Sequence, residues 1–278
     1  MLRRAPAAPL RPFVETLWLS DAPALGAREI VLPTGAMHVV VRLSDTPLVV
    51  YERATDATGR DLGCALVGGA RTTAYVRDVS RPTRSVGAQL RPGAAELLFG
   101  VPADTLAERH TRLDDLWGPS AAEARDRIRA AASPADQLDA FERILLAQLP
   151  RVGAVHPVVE HALARLSLGD GVAAVVATTG YSHRAFIELF RRAVGLTPKR
   201  WARVQRLSRV IAAPPTTPWA DVAHAVGYSD QAHLSREFRE LVGVTPGAYR
   251  AAAPARSHHV VVKNVQDGPG GRKHGGRT

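Results

Sequence analysis

The sequence predicts an α+β protein: a β-rich N-terminal domain with appended helices, then an all-α domain made of two copies of one helical unit joined by a linker helix. Three observations predict it. Between residues 13 and 91, short β-branched runs alternate with Gly, Pro and polar punctuation, the pattern of a small sandwich or barrel. From Pro92 onward the apolar residues recur every three or four positions, which is helical periodicity. Finally, VGYSDQAHLSREFRELVGVTPGAYR, from Val226 to Arg250, has a blurred copy upstream, TGYSHRAFIELFRRAVGLTPKRW, from Thr179 to Trp201.

Each element has a local cause. IVLPTGAMHVVVRL (30–43) is strand-forming but broken by the turn signal Pro33-Thr34-Gly35. PLVVYE (47–52), CALVGG (64–69), TTAYVR (72–77) and RSVGAQL (84–90) continue the series. PGAAELLFG places Pro92 in a first helical turn and a stop at Gly100. Further helices are expected at 102–109, 120–132 and 134–149. In the last, Leu138, Phe141, Leu145 and Leu149 share one face; such a stripe is either core or a contact with a partner helix, and 120–149 is one place for a dimer contact. The Pro- and Gly-containing stretch 150–157 marks a boundary. The expected division is therefore 10–149 for the β-rich sensor-like domain, 155–252 for the helical domain, and 253–278 for a disordered basic tail.

Composition narrows the function. Hydrophobic content of 46% and charged content of 22% fit a water-soluble globular chain. There is no run of eighteen apolar residues and no apolar core to a leader in MLRRAPAAPLRPF, so neither a membrane span nor a secretory signal is expected, and the cytoplasm is the simplest location. One cysteine, Cys64, excludes an internal disulfide and a cysteine-rich zinc cluster. Residues 1–150 hold 18 basic and 18 acidic side chains, whereas 151–278 hold 18 basic against 8 acidic, so the whole net charge of +10 lies in the second part. That asymmetry points to an anionic partner, nucleic acid before membrane, or to a solvated basic surface.

The repeat decides between them. Gly180 and Gly227 are 47 apart, but Phe190 and Phe238, and Gly195 and Gly243, are 48 apart, so one residue has been gained between the turn and the buried face of the second helix. Asp170 is the expected cap of the first opening helix; Thr217 with Pro218 serves the second. Gly180 and Gly227 supply the positive φ of a sharp turn, and Ser182 and Ser229 are placed to cap the helix that follows. Phe186, Leu189 and Phe190, matched by Leu234 and Phe238, anchor that helix, and Gly-Leu-Thr-Pro or Gly-Val-Thr-Pro ends it. A short helix, a glycine turn and a longer helix with a polar exposed start form a helix-turn-helix, whose second helix fits the major groove. Two copies joined by KRWARVQRLSRV (199–210) are far more specific than one.

Residues 155–252 thus resemble the AraC/XylS-type DNA-binding domain, on the strength of GYS…F…GLTPKRW…RL and VAHAVGYSDQAHLSREFRELVGVTPGAYR. The resemblance implies a transcriptional regulator that binds double-stranded promoter DNA. Residues 10–149, with LPTG (32–35), RPGAAELLFGVPADTL (91–106) and LDDLWG (113–118), resemble the β-rich N-terminal domain of one AraC subgroup, a resemblance that names no ligand. Further expected partners are RNA polymerase, a small-molecule effector at the N-terminal domain and a second copy of the chain. Carried over position by position, the base-contact candidates are His183, Arg184, Ile187 and Glu188 in the first copy, and Gln231, Ala232, His233, Ser235 and Arg236 in the second. Arg184 or Arg236 suits guanine, Gln231 adenine, and Ile187 a thymine methyl. Arg191, Arg192, Lys199, Arg200, Arg203 and Arg239 are assigned to phosphates. Glu188 is awkward beside phosphates; it accepts from cytosine or pairs with a neighbouring Arg. Val176 stands where the family usually has a small residue, matching Ala223.

No catalytic set was found: Walker A, HExxH and GxSxG are all absent. His224 and His233, without cysteine or acidic neighbours, do not form a metal motif, and no cofactor is expected. His38 faces either a barrel interior or ordinary core; Cys64 reads as a small core residue or a redox sensor. The competing classes are a non-specific architectural nucleic-acid binder and a DNA-repair methyl-transfer regulator, the latter requiring zinc-binding cysteines that this chain lacks.

Overall fold

Alternation of side chains along the strands determines the N-terminal domain. In the computed structural model, which describes residues 1–25, 28–149, 155–254 and 258–262, one sheet is formed by β1 (Leu2–Arg4), β2 (Val14–Ala22), β9 (Thr83–Leu90), β4 (Met37–Arg42), β7 (Ala65–Gly68) and β10 (His110–Arg112), in that spatial order. A second contains β11 (His259–Val262), β3 (Arg28–Val31), β8 (Tyr75–Asp78), β5 (Val49–Tyr51) and β6 (Arg60–Asp61). All pairings are antiparallel; Val39 lies opposite Ala88 and Val41 opposite Val86. Val39, Val41, Val86, Ala88, Leu17 and Leu19 form one face of the first sheet and are buried in the main core. Their alternates, His38, Arg42, Ser85, Gln89, Thr16 and Trp18, face an interior cavity.

The helices cover the apolar face. They are α1 (Ala94–Phe99), α2 (Ala103–Leu106), α3 (Asp114–Trp117), α4 (Ser120–Arg129) and α5 (Pro134–Gln148). Ser133 caps α5 by accepting from the Asp136 amide, and Pro134 opens its first turn. Leu138, Phe141 and Leu145 are fully buried within the chain's own core, so this stripe is not available as a dimer surface. The expected helix over 102–109 is shorter, ending at Leu106. There Glu108 adopts φ 60°, a left-handed conformation uncommon outside glycine, and the chain turns into β10, which pairs with β7.

The C-terminal part comprises α6 (Pro157–Ser167), α7 (Val172–Ala177), α8 (His183–Val194), α9 (Pro198–Ala212), α10 (Trp219–Val226), α11 (Gln231–Val242) and α12 (Pro246–Ala251). The expected boundary at 150–157 lies mostly outside the described residues. The tail departs from expectation: residues 259–262 are not disordered but pair as β11 with β3, Val260 opposite Ile30. The cause is burial, since Val260, Ile30 and Val76 share one apolar cluster with α11. Residues 263–278 lie outside the described part.

On the other face of that strand pair sits Glu29, 1% exposed. Arg77 Nη2 is 2.5 Å from its carboxylate and His259 Nδ1 is 3.1 Å away. Burial alone would raise the carboxyl's pKa, but the His259 and Arg77 contacts outweigh it and bring it down to about 2. A depressed carboxyl pKa stabilises the fold above its ordinary titration range, and this contribution disappears as pH falls towards 2. Wild type should therefore exceed Glu29→Gln in stability by about 2–3 kcal/mol at pH 6, the gap closing between about pH 4.5 and 2. Paired urea titrations across that range measure it.

Candidate nucleic-acid interface

Both units begin with a short helix and a glycine turn. Gly180 has φ 72° and Gly227 φ 84°, positions where a Cβ would be strained. Three of the four caps differ from those read in the sequence. Gly171, not Asp170, precedes α7, and the Asp170 carboxylate pairs instead with Arg165. Pro218 is itself the cap position of α10, leaving the Thr217 carbonyl to accept from Arg250. Ser182 does cap α8, accepting from the Ala185 amide, but in the second unit the cap is Asp230, which accepts from the His233 amide at 2.6 Å. The inserted residue therefore lies inside the turn, and it converts a serine cap to an aspartate one. Ser229 instead bonds the His233 ring at 3.1 Å.

The cores are built by the expected aromatics. Phe186 and Phe190 are buried, with Trp201 of α9 edge-on to Phe190. In the second unit Phe238 packs edge-on to Tyr249, while Trp219 is half-buried under the Arg250 guanidinium. Val176 is half-buried where its counterpart Ala223 is fully buried. Tyr228 is buried and donates to Glu237 at 2.9 Å; Tyr181 is exposed beside His156. Glu237, 8% exposed, also accepts from Arg203 at 3.1 Å, and Arg206 lies 3.8 Å away. Burial, followed by the Glu237 charge, pushes the Tyr228 hydroxyl well above the usual phenol range.

Of the base-contact candidates, His183, Arg184, Glu188, Gln231, Ala232 and Arg236 are exposed; Ile187, His233 and Ser235 are half-buried. Ile187 packs against the main core and His233 lies edge-on to Tyr228. Among the phosphate candidates, Lys199 and Arg239 are exposed. The other four hold acids within the chain. Arg191 meets Asp104 at 3.1 Å, Arg192 meets Glu96, and Arg200 meets Glu108 at 2.7 Å, all three acids being in the N-terminal domain. Arg203 bridges Glu237 and Glu240. Hydrogen bonding to Glu96 raises the Arg192 pKa, and Glu188 adds to this. His224 is exposed, and no group of three or more potential metal ligands occurs among the described residues. Cys64 is half-buried. No described helix is long and apolar enough to cross a membrane.

The domains also meet through backbone. Gly93 N–H donates to Ala193 O at 2.8 Å, Ala74 N–H to Leu241 O at 2.7 Å, and Gln205 Nε2 to Thr34 O at 3.2 Å. The LPTG stretch is thus a loop seated on α9. None of these acids or carbonyls carried a sequence signal, because each acts only on a surface distant in the chain.

Two such units sharing α9 define a double helix-turn-helix protein. Residues 175–252 match the family described as a helix-turn-helix domain, and residues 2–112 match a domain of unknown function (DUF6597). Residues 175–252 are thus a helix-turn-helix domain of the AraC/XylS type. It is 37% identical over 89 residues to the probable bifunctional transcriptional activator/DNA repair enzyme AlkA of Mycobacterium tuberculosis, covering 31% of this chain and 18% of that protein. It is 35% identical over 77 residues to the arabinose operon regulatory protein of Escherichia coli, covering 27% of this chain and 26% of that one. The chain therefore spans only a minor part of these curated relatives. Apo ToxT of Vibrio cholerae, a solved structure, aligns over 89% of this chain and 99% of its own at 8% identity, with a TM-score of 0.44.

Glu237 is the clearest stability determinant of the second unit. Glu237→Ala would leave the buried Tyr228 hydroxyl without its acceptor and Arg203 with Glu240 alone, and should cost about 1–3 kcal/mol, read as a lower urea midpoint.

Proposed function

We propose that the chain is a sequence-specific DNA-binding transcriptional regulator: α8 and α11 enter successive major-groove segments of promoter DNA, and the N-terminal domain modulates that binding. The observation that carries this reading is the pair of helix-turn-helix units on one linker helix, each presenting an exposed polar helix start. The relatives' names, a transcriptional activator and an operon regulator, agree with it. Arg184, Gln231 and Arg236 read bases; Lys199 and Arg239 hold phosphates. The N-terminal domain (10–149) acts through Asp104, Glu96 and Glu108, which occupy the arginines that DNA phosphates would otherwise take. In this role the chain is a regulator and not an enzyme.

Promoter DNA from the gene's own neighbourhood, competed against random DNA at physiological salt, tests the reading. A regulator shows a large affinity ratio; equal affinities point to a non-specific architectural binder. Arg236→Ala should cost about 1–3 kcal/mol and relax preference at one base position, whereas Arg239→Ala should weaken all sequences alike and flatten the salt slope. Replacing the three acids together (Glu96→Gln, Asp104→Asn, Glu108→Gln) should raise DNA affinity about two- to tenfold, as expected for releasing exposed ion pairs. Gel-shift titrations report each outcome.

A further inference from the structure

The second helix-turn-helix does not close its core alone. Leu234 and Phe238 of α11 share one apolar cluster with Ile30, Val76 and Val260 of the second sheet, so burial seats the unit on that sheet. The strand that follows the unit in the chain then fastens it there. Residues 259–262 pair with 31–28, and the Leu32 N–H donates to the His258 carbonyl at 2.9 Å. Two residues further on, the Thr34 carbonyl accepts from Gln205 of α9.

The fastening is small. β11 lies at the edge of its sheet with β3 as its strand neighbour, and of its four residues only Val260 is buried. The chain also reaches it through a strained turn. Ala253 has φ 40°, a left-handed conformation that its Cβ makes costly, and it precedes Pro254, which restricts it further. Its N–H is held by the Arg250 carbonyl at 3.1 Å. Among the described residues, Ala253 and Glu108 are the two non-glycine positions with positive φ. Both stand where the N-terminal domain meets the helical units, since Glu108 holds Arg200. Such strain persists only where the surroundings enforce it, and it belongs to elements with two states.

We propose that β11 is an autoinhibitory strap. Paired with β3, it keeps the second unit on the sheet, in the closed arrangement where N-terminal acids occupy Arg191, Arg192 and Arg200. Its release frees that unit and raises affinity for duplex DNA. The proposal rests on the helical units being DNA binders. The first unit cannot play this part, because Phe186 and Phe190 lie in the N-terminal core itself. Helix α9 links the two: Trp201 belongs to that core, Leu207 and Ile211 to the second cluster. Movement of the second unit is therefore transmitted along α9 towards the Arg200–Glu108 pair.

Gel-shift titrations with a random-sequence duplex at low salt compare chains ending at residues 262 and 257. The first loses only the basic tail; the second loses the strap as well, with no change in formal charge. The shorter chain should bind about fivefold more tightly or better, the lower end of ordinary coupling between sites. Val260→Asn in the full chain sets an unpartnered amide opposite Ile30 and should act in the same direction. Ala253→Gly should act oppositely, because relief of the left-handed cost exceeds the freedom that glycine adds to the released chain. Coupling is reciprocal, so saturating duplex should speed hydrogen exchange at 28–31 and 259–262 of the full chain. A strand that merely stabilises the second unit gives the reverse sign, since its loss would weaken binding. The strap is overturned if the chain ending at 257 binds no more tightly than the longer one, or if duplex leaves exchange at β11 unchanged or slower. Equal binding by all forms removes the strap alone, whereas no binding by any form removes the DNA reading with it.

Discussion

The second sheet has no free face, and the rest of the molecule follows from that. Ile30, Val76 and Val260 point one way, into the same apolar cluster as Leu234, Phe238 and Leu241 of the second helix-turn-helix. Glu29, Tyr75, Arg77 and His259 point the other way, towards the interior. A strand has only two sides, so a shift of this sheet moves the cavity wall and the seat of α11 together. The first helix-turn-helix is bound as firmly by other means: Phe186, Phe190 and Val194 belong to the N-terminal core itself. The two helix-turn-helix units are thus held by the N-terminal domain as well as by α9. At 15 residues, α9 is about 22 Å long, less than one DNA turn, so their spacing depends on this seating too.

Charge segregation has the same logic. The electrically neutral first half directs Glu96, Asp104 and Glu108 at the basic second half. Single exposed ion pairs contribute little to stability, but three of them set on one surface can bias which partner the arginines hold. Exposed pairs of this kind are weak enough for a competing polyanion to displace.

The repeated unit was legible because both copies are specified locally, by a glycine turn, anchoring phenylalanines and a Gly-x-Thr-Pro stop. Strands β3, β4, β5, β7, β8 and β9 showed in their valine-rich runs. Caps were misread where a side chain had a stronger offer elsewhere, as Asp170 did from Arg165, or where the insertion fell within the turn, as at Asp230. Strand β11 was illegible: HVVV in a basic tail acquires a meaning only against β3. The cavity left a faint mark, the polar alternates of MHVVVR and RSVGAQL, which identify a face that is enclosed but not packed. Arg42 reads as a strand-end charge until the opposite sheet is present.

The pairing of β11 with β3 also gives the chain a ring-like course. It leaves the first domain, passes through both readers, and comes back to be stitched into the sheet from which it set out. The second reader is therefore moored at two points, fore and aft. Releasing it takes slack in both moorings, and the one aft of it is only a few residues of valine and histidine.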